Sequence, residues 1–257
     1  MPHGWTFFAQ QRKVARKPCR SGGAAFYRIY WFLSLDLGLH LLILLFGVWL
    51  RSRRLVHFLF RIILPWSIFP RWVTSDRSDR QLVMEHELFR HLEQEIFVRR
   101  SMVIAASHFV TDILKLADDS THAFSSTTLS QLKSIDAQQT AQSLSGCLTH
   151  HYPVVFRRIL PDDTLISMAS GSGEDWYSIS LLTYAKSRDE FFRVARFLAE
   201  TMILLFDARL HWGKWCPVTA DQIEQQYPEL PTFREICRQF DPNGVFRNKF
   251  VDETLEI

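Results

Sequence analysis

Residues 39–50 of this 257-residue chain read LHLLILLFGVWL, and no other feature limits the fold as much. Such a run has to leave water for a protein interior or a lipid phase, because each methylene left wet forfeits about 0.8 kcal/mol. It is shorter than the roughly 20 apolar residues a bilayer span requires, unless Asp36 and His40 are carried inside. Arg51, Arg53 and Arg54 follow it, and a second apolar run at 55–69 contains His57, Arg61 and Pro65. The block 30–70 is therefore expected to be a hydrophobic helical pair, tightly buried or interfacial, with a true span as the alternative. Trp31, Trp49, Trp66 and Trp72 suit a membrane interface, and the arginines suit lipid phosphates.

Six Lys/Arg precede the first acidic residue, Asp36, so residues 1–25 read as a basic leader: disordered, a transit peptide, or a membrane flank. The expected location is membrane-associated and intracellular, mitochondrial or endoplasmic-reticular in a eukaryote. A net charge of +3, with no Lys/Arg stripe interleaved with aromatics, argues against a nucleic-acid partner. Cys19, Cys147, Cys216 and Cys237 are scattered without CxxC spacing, which argues for a reducing compartment and against a metal site.

Beyond the apolar block the patterning is that of an α+β domain. Alternating stretches predict strands at 82–89, 152–160, 164–170 and 176–184, forming an antiparallel sheet covered on one face by helices. Helical spacing marks 107–119, 188–206 and a segment starting at Pro231, whose apolar face is Phe233, Ile236, Cys237 and Phe240. Residues 120–146, rich in Ser, Thr, Gln and Ala, read as a low-order surface insertion.

Nucleotide-binding and nucleophile-elbow motifs (GxGxxG, the P-loop, GxSxG) are absent from the sequence. His150 and His151 are adjacent and read as structural or solvated. Lys214, in LHWGKWCP at 210–217, is unusual: an ammonium among tryptophans. On its own it reads as a snorkelling or cation–π lysine. Arg157 and Arg158 are neighbours on a predicted strand, so one faces in and the other out.

Several spaced elements carry a resemblance. His211, Trp212 and Lys214, then Tyr227 and Pro228, then Asp241, Pro242, Gly244, Phe246 and Asn248 follow the order HWxK, YP, helix, DPxGxFxN. This resembles the ending of the FAD-linked sugar-1,4-lactone oxidases (the D-arabinono- and L-gulono-1,4-lactone oxidase family). Upstream, His151, Tyr152, Pro153, Val154 and Arg157 resemble that family's H-[FY]-P-V-E-x-R strand, with Val155 in the place of its glutamate. The resemblance covers 26–257 and implies the cap, or substrate, domain of the fold.

It further implies oxidation of an aldono-1,4-lactone at C2, with hydride passing to FAD. Oxygen would be the acceptor, giving hydrogen peroxide and an ascorbate-type product. Arg157 and Lys214 are implied as catalytic cations, and His211, Trp212 and Asn248 as cofactor-side residues. The family's FAD-binding domain has no counterpart here, so a truncated chain is expected, complemented by a flavin domain in cis or in trans. The alternative is a non-catalytic, membrane-associated relic acting as a binding or scaffold protein.

Overall fold

The computed structural model describes residues 23–67, 69, 73–77, 90–171, 173–184 and 188–257, which fall into two compact units. The strand expected at 82–89, Trp72 and most of the basic leader lie outside the described residues.

The first unit is built on the apolar block. Ala24–Trp49 is one helical run in which stretches of α and π hydrogen bonding alternate. At about 1.5 Å per residue its 26 residues extend about 39 Å, long and apolar enough by length and composition to cross a membrane. Gly38 sits inside a π stretch because a Cβ there would lie 2.9 Å from the Leu33 carbonyl oxygen. Arg51, at φ 45°, turns the chain, and the Ser52 hydroxyl caps the next run by accepting the Leu55 N–H. That run comprises Arg53–Phe58, Leu59–Ile63 and Leu64–Ser67. Tyr30 donates its hydroxyl to the Ser67 carbonyl, tying the pair.

The expected helical pair is present, but it is not tightly buried. Ile43, Val56, Leu59 and Leu64 are enclosed, while Trp49 (75% exposed), Phe58, Ile62 and Trp66 (86%) face outward. In the same unit His151 is 4% exposed; its Nδ1–H donates to the Thr149 carbonyl, and its Nε2 accepts the Tyr184 N–H.

The second unit holds a four-stranded antiparallel sheet, order β2-β3-β1-β4: β1 His91–Arg99, β2 Val155–Ile159, β3 Trp176–Tyr184 and β4 Arg209–Leu210. Period-two alternation gives it two unlike faces. Ile96, Val98, Ile179, Leu181 and Leu210 turn inward and pack on helices Val103–Asp118 and Arg188–Phe206. Phe109, Ile113, Val194, Leu198 and Met202 fill that interface.

Two expectations are corrected. Residues 164–170 form no strand: the Asp162 carboxylate accepts from the Thr164 N–H, the Thr164 hydroxyl and the Ser167 hydroxyl, so local side-chain bonds replace a ladder. Strands His91–Arg99 and Arg209–Leu210 were not among the expected ones. The insertion 120–146 is ordered as helices Ser126–Ser134 and Gln138–Gln142. Its apolar residues are few, but Leu132, Ala141 and Leu144 are all buried, and Ser125 caps the first helix while its N–H binds Asp112. The helix expected from Pro231 is present as Leu230–Phe240: Leu230 is buried and Phe233 packs against Ile223, Tyr227 and Leu255, while Ile236 and Phe240 (82%) are exposed.

Burial lowers the His151 pKa, so below about pH 6.5 the unfolded chain takes up a proton that the folded chain refuses. Stability is therefore expected to fall with acidification from that point. His151→Gln should flatten this part of the pH profile, as read by thermal melts across a pH series.

Candidate active site

The outward sheet face collects the chemistry. On β1 the residues alternating with the core are Glu93, Glu95 and Phe97. Arg157 of β2 stands in register with Ser178 of β3, and Val155 with Ser180, so all four share this face. After β4 the chain keeps alongside β1: the His211 N–H bonds the Glu95 carbonyl and the Trp215 N–H bonds the Glu93 carbonyl. That continuation carries Lys214 to Glu93.

Two carboxylate–cation pairs result. Lys214 Nζ lies 2.6 Å from Glu93 Oε2, and Arg157 Nη1 donates to Glu95 Oε1 at 3.1 Å and to Ser180 Oγ at 2.9 Å. The carboxylates are buried, whereas the Lys214 side chain is 33% and that of Arg157 53% exposed, so both cations keep an accessible edge. His211 Nε2 is 3.9 Å from Glu95 Oε2. Its Nδ1 accepts the Gly213 N–H at 2.9 Å, which places the ring proton on Nε2 and occupies the other lone pair. The Lys214 N–H bonds the His211 carbonyl, so this turn sets where the lysine begins.

Three of the expected site residues, Arg157, Lys214 and His211, therefore converge on Glu93 and Glu95. The other two lie elsewhere. Trp212 donates its indole N–H to the Ile166 carbonyl and packs on Tyr227 and Phe250. Asn248 caps the last helical turn, its Oδ1 accepting the Val251 N–H. Sequence reasoning missed Glu93 and Glu95, although the alternation in HLEQEIFVRR at 91–100 carried the signal.

Farther along the same face Arg209 is buried between the rings of Trp176 (4.7 Å) and Tyr227 (4.4 Å). Its Nη1 donates to Ser170 O and Oγ and to Ser167 O, and its Nη2 to Gln226 O. Burial pushes the Tyr227 phenol up, against the pull of Arg209. Burial alone pushes the Cys216 thiol to about 12, so it is no nucleophile at neutral pH.

Arg157→Met leaves Glu95 without its cation, and a loss of about 1–2 kcal/mol is expected in denaturant unfolding. Adding Glu95→Gln should recover at least half of it. Arg209→Met orphans several buried acceptors and should cost about 3 kcal/mol in the same measurement, with Arg209→Lys nearly as damaging because it cannot fork to both segments.

Comparison with known proteins adds sequence kinship to this geometry. Residues 75–254 match the family profile described as D-arabinono-1,4-lactone oxidase. A long-chain alcohol oxidase from an uncultured marine euryarchaeote is 43% identical over the whole of this chain and 54% of its own length. An alditol oxidase from Streptomyces sp. is 32% identical over 39% of this chain and 23% of its own. The L-gulonolactone oxidase of Mus musculus is 31% identical over 41% of this chain and 24% of its own. The chain thus spans about half the length of the first relative and about a quarter of the others.

Proposed function

Because the chain belongs to the D-arabinono-1,4-lactone oxidase family, we propose that its outward sheet face is the substrate wall of a flavin-dependent oxidase acting on a carbinol, with an aldono-1,4-lactone as substrate. The carrying observation is the convergence of Arg157 and Lys214, each anchored by a buried carboxylate and each keeping an exposed edge. The donor set fits a flavin: Lys214 spends one N–H on Glu93 and has two left for an electron-rich ring edge or substrate oxygen. FAD, when bound, supplies the hydride acceptor.

The residues of this chain then bind and orient. The outward N–H groups of Arg157 hold the substrate oxygen, and Lys214 stabilises charge that grows as the C–H bond breaks. The carbinol loses a hydride from carbon and a proton from oxygen. Glu95, adjoining Arg157, is the carboxylate in reach of that proton; His211 is not, because its unprotonated nitrogen is engaged by Gly213. Molecular oxygen is the terminal acceptor in this reading, with hydrogen peroxide as its product. The exposed apolar side chains of Ile236, Phe240, Val245 and Phe246 support a flavin-binding domain packing there, in cis or in trans. Membrane association belongs to the same reading, supported by the apolar helix Ala24–Trp49.

One observation favours a second substrate class. Val155 shares the face of Arg157, where the family carries a glutamate, and an apolar side chain there suits a hydrocarbon tail better than a ring hydroxyl. The name of the euryarchaeal relative agrees. Anaerobic bleaching of the FAD-loaded protein by lactones or by long-chain primary alcohols decides between them. Bleaching by neither class would leave the scaffold reading in place. Lys214→Ala is expected to slow bleaching by about 10²–10³-fold, far beyond the loss of about 1–2 kcal/mol in unfolding that follows from leaving Glu93 without its cation. Val155→Glu should move preference toward the hydroxyl-rich lactone.

A further inference from the structure

The helical run at 53–67 carries a stripe that suits neither water nor a protein interior. Arg54, Phe58, Arg61, Ile62 and Trp66 recur at the three- and four-residue intervals of one helix face, and all five are exposed. Val56, Leu59 and Leu64, spaced along the opposite side, are buried. Facing water, Phe58, Ile62 and Trp66 would leave three large apolar side chains wet. Facing a protein core, Arg54 and Arg61 would need carboxylates, and among the described residues neither has an ion-pair partner.

The remaining environment with oxygen anions above and hydrocarbon below is the boundary of a lipid bilayer. The local sequence fits it. No acidic residue occurs between Asp36 and Asp76, while Arg51, Arg53, Arg54, Arg61 and Arg71 all fall in that interval. Arg54 and Arg61 stand about 10 Å apart along the helix axis at 1.5 Å per residue. Together with His57, Phe58 and Ile62 they line an open groove of about 590 Å³ whose walls are both apolar and cationic.

We propose that this stripe is a binding site for anionic phospholipid. Arg54 and Arg61 pair with headgroup phosphates while Phe58, Ile62 and Trp66 enter the acyl boundary, so that 53–67 lies along the bilayer surface. Guanidinium suits the role because its planar fork matches phosphate oxygens. The proposal rests on membrane association, and the test separates the two.

The full chain is synthesised in the presence of phosphatidylcholine vesicles, with or without phosphatidylglycerol, and binding is titrated by flotation. Phosphatidylglycerol is expected to strengthen binding. Arg54→Gln with Arg61→Gln should remove about five-fold per charge, roughly 25-fold together. Arg54→Lys with Arg61→Lys should keep most of the gain, and its loss there would overturn a charge-based site. Equal binding to both vesicles by wild type and the glutamine variant would sink the lipid site and leave membrane association standing. Flotation with neither vesicle would sink both. Release by inorganic phosphate beyond that by chloride at equal ionic strength would assign the groove to a free anion and overturn the lipid assignment.

Discussion

A guanidinium taken out of water has to find oxygen, and Arg209 finds it in backbone carbonyls of separate segments. Carbonyls from the 162–171 loop and the end of helix Ala220–Gln226 converge on it, while Trp176 and Tyr227 cover its faces. Among the described residues no carboxylate lies within ion-pairing distance, so charge neutrality is not what holds it. The geometry is set by how a planar fork can point at several carbonyls at once. Since Arg209 is in register with Phe97, this clamp also fixes β4 against β1. The stretch that follows, from His211 to Lys214, starts from that anchor.

The sequence made the large elements legible and left the small ones hidden. Helix Arg188–Phe206 and strand Trp176–Tyr184 carry long, clean periodicity, and both stand where their patterns put them. Helix Ser126–Ser134 was masked by composition. It buries little beyond Leu132 and Thr128, and much of its support comes from the Ser125 cap and the Asp112 carboxylate, which leave no periodic trace. Strand Arg209–Leu210 is too short to show alternation at all. At 164–170 the pattern misled, because a side chain that can satisfy the backbone locally removes the reason to pair with a neighbouring strand.

The same contrast holds for the site. Lys214 and Arg157 were legible through the motifs around them, because a cation in an aromatic or apolar setting is conspicuous. Their carboxylate partners were missed: alternation puts Glu93 and Glu95 on one face, but nothing local ties them to cations about 60 to 120 residues away in sequence. Only pairing of β1 with its neighbours brings the four together. Asn248 shows the reverse: a motif position conspicuous in sequence whose side chain serves the local backbone.

Matched pairing has an electrical consequence. The Lys214–Glu93 and Arg157–Glu95 pairs sum to no net charge, so this part of the face presents alternating poles and contributes almost no long-range field. A neutral sugar ring or fatty alcohol is neither drawn in nor turned away at a distance, and its capture should be nearly indifferent to ionic strength. An open-chain sugar acid, whose carboxylate would profit from an unopposed cation, meets one already claimed. By compensating each other, these two pairs favour uncharged guests over ionised ones before any contact is made.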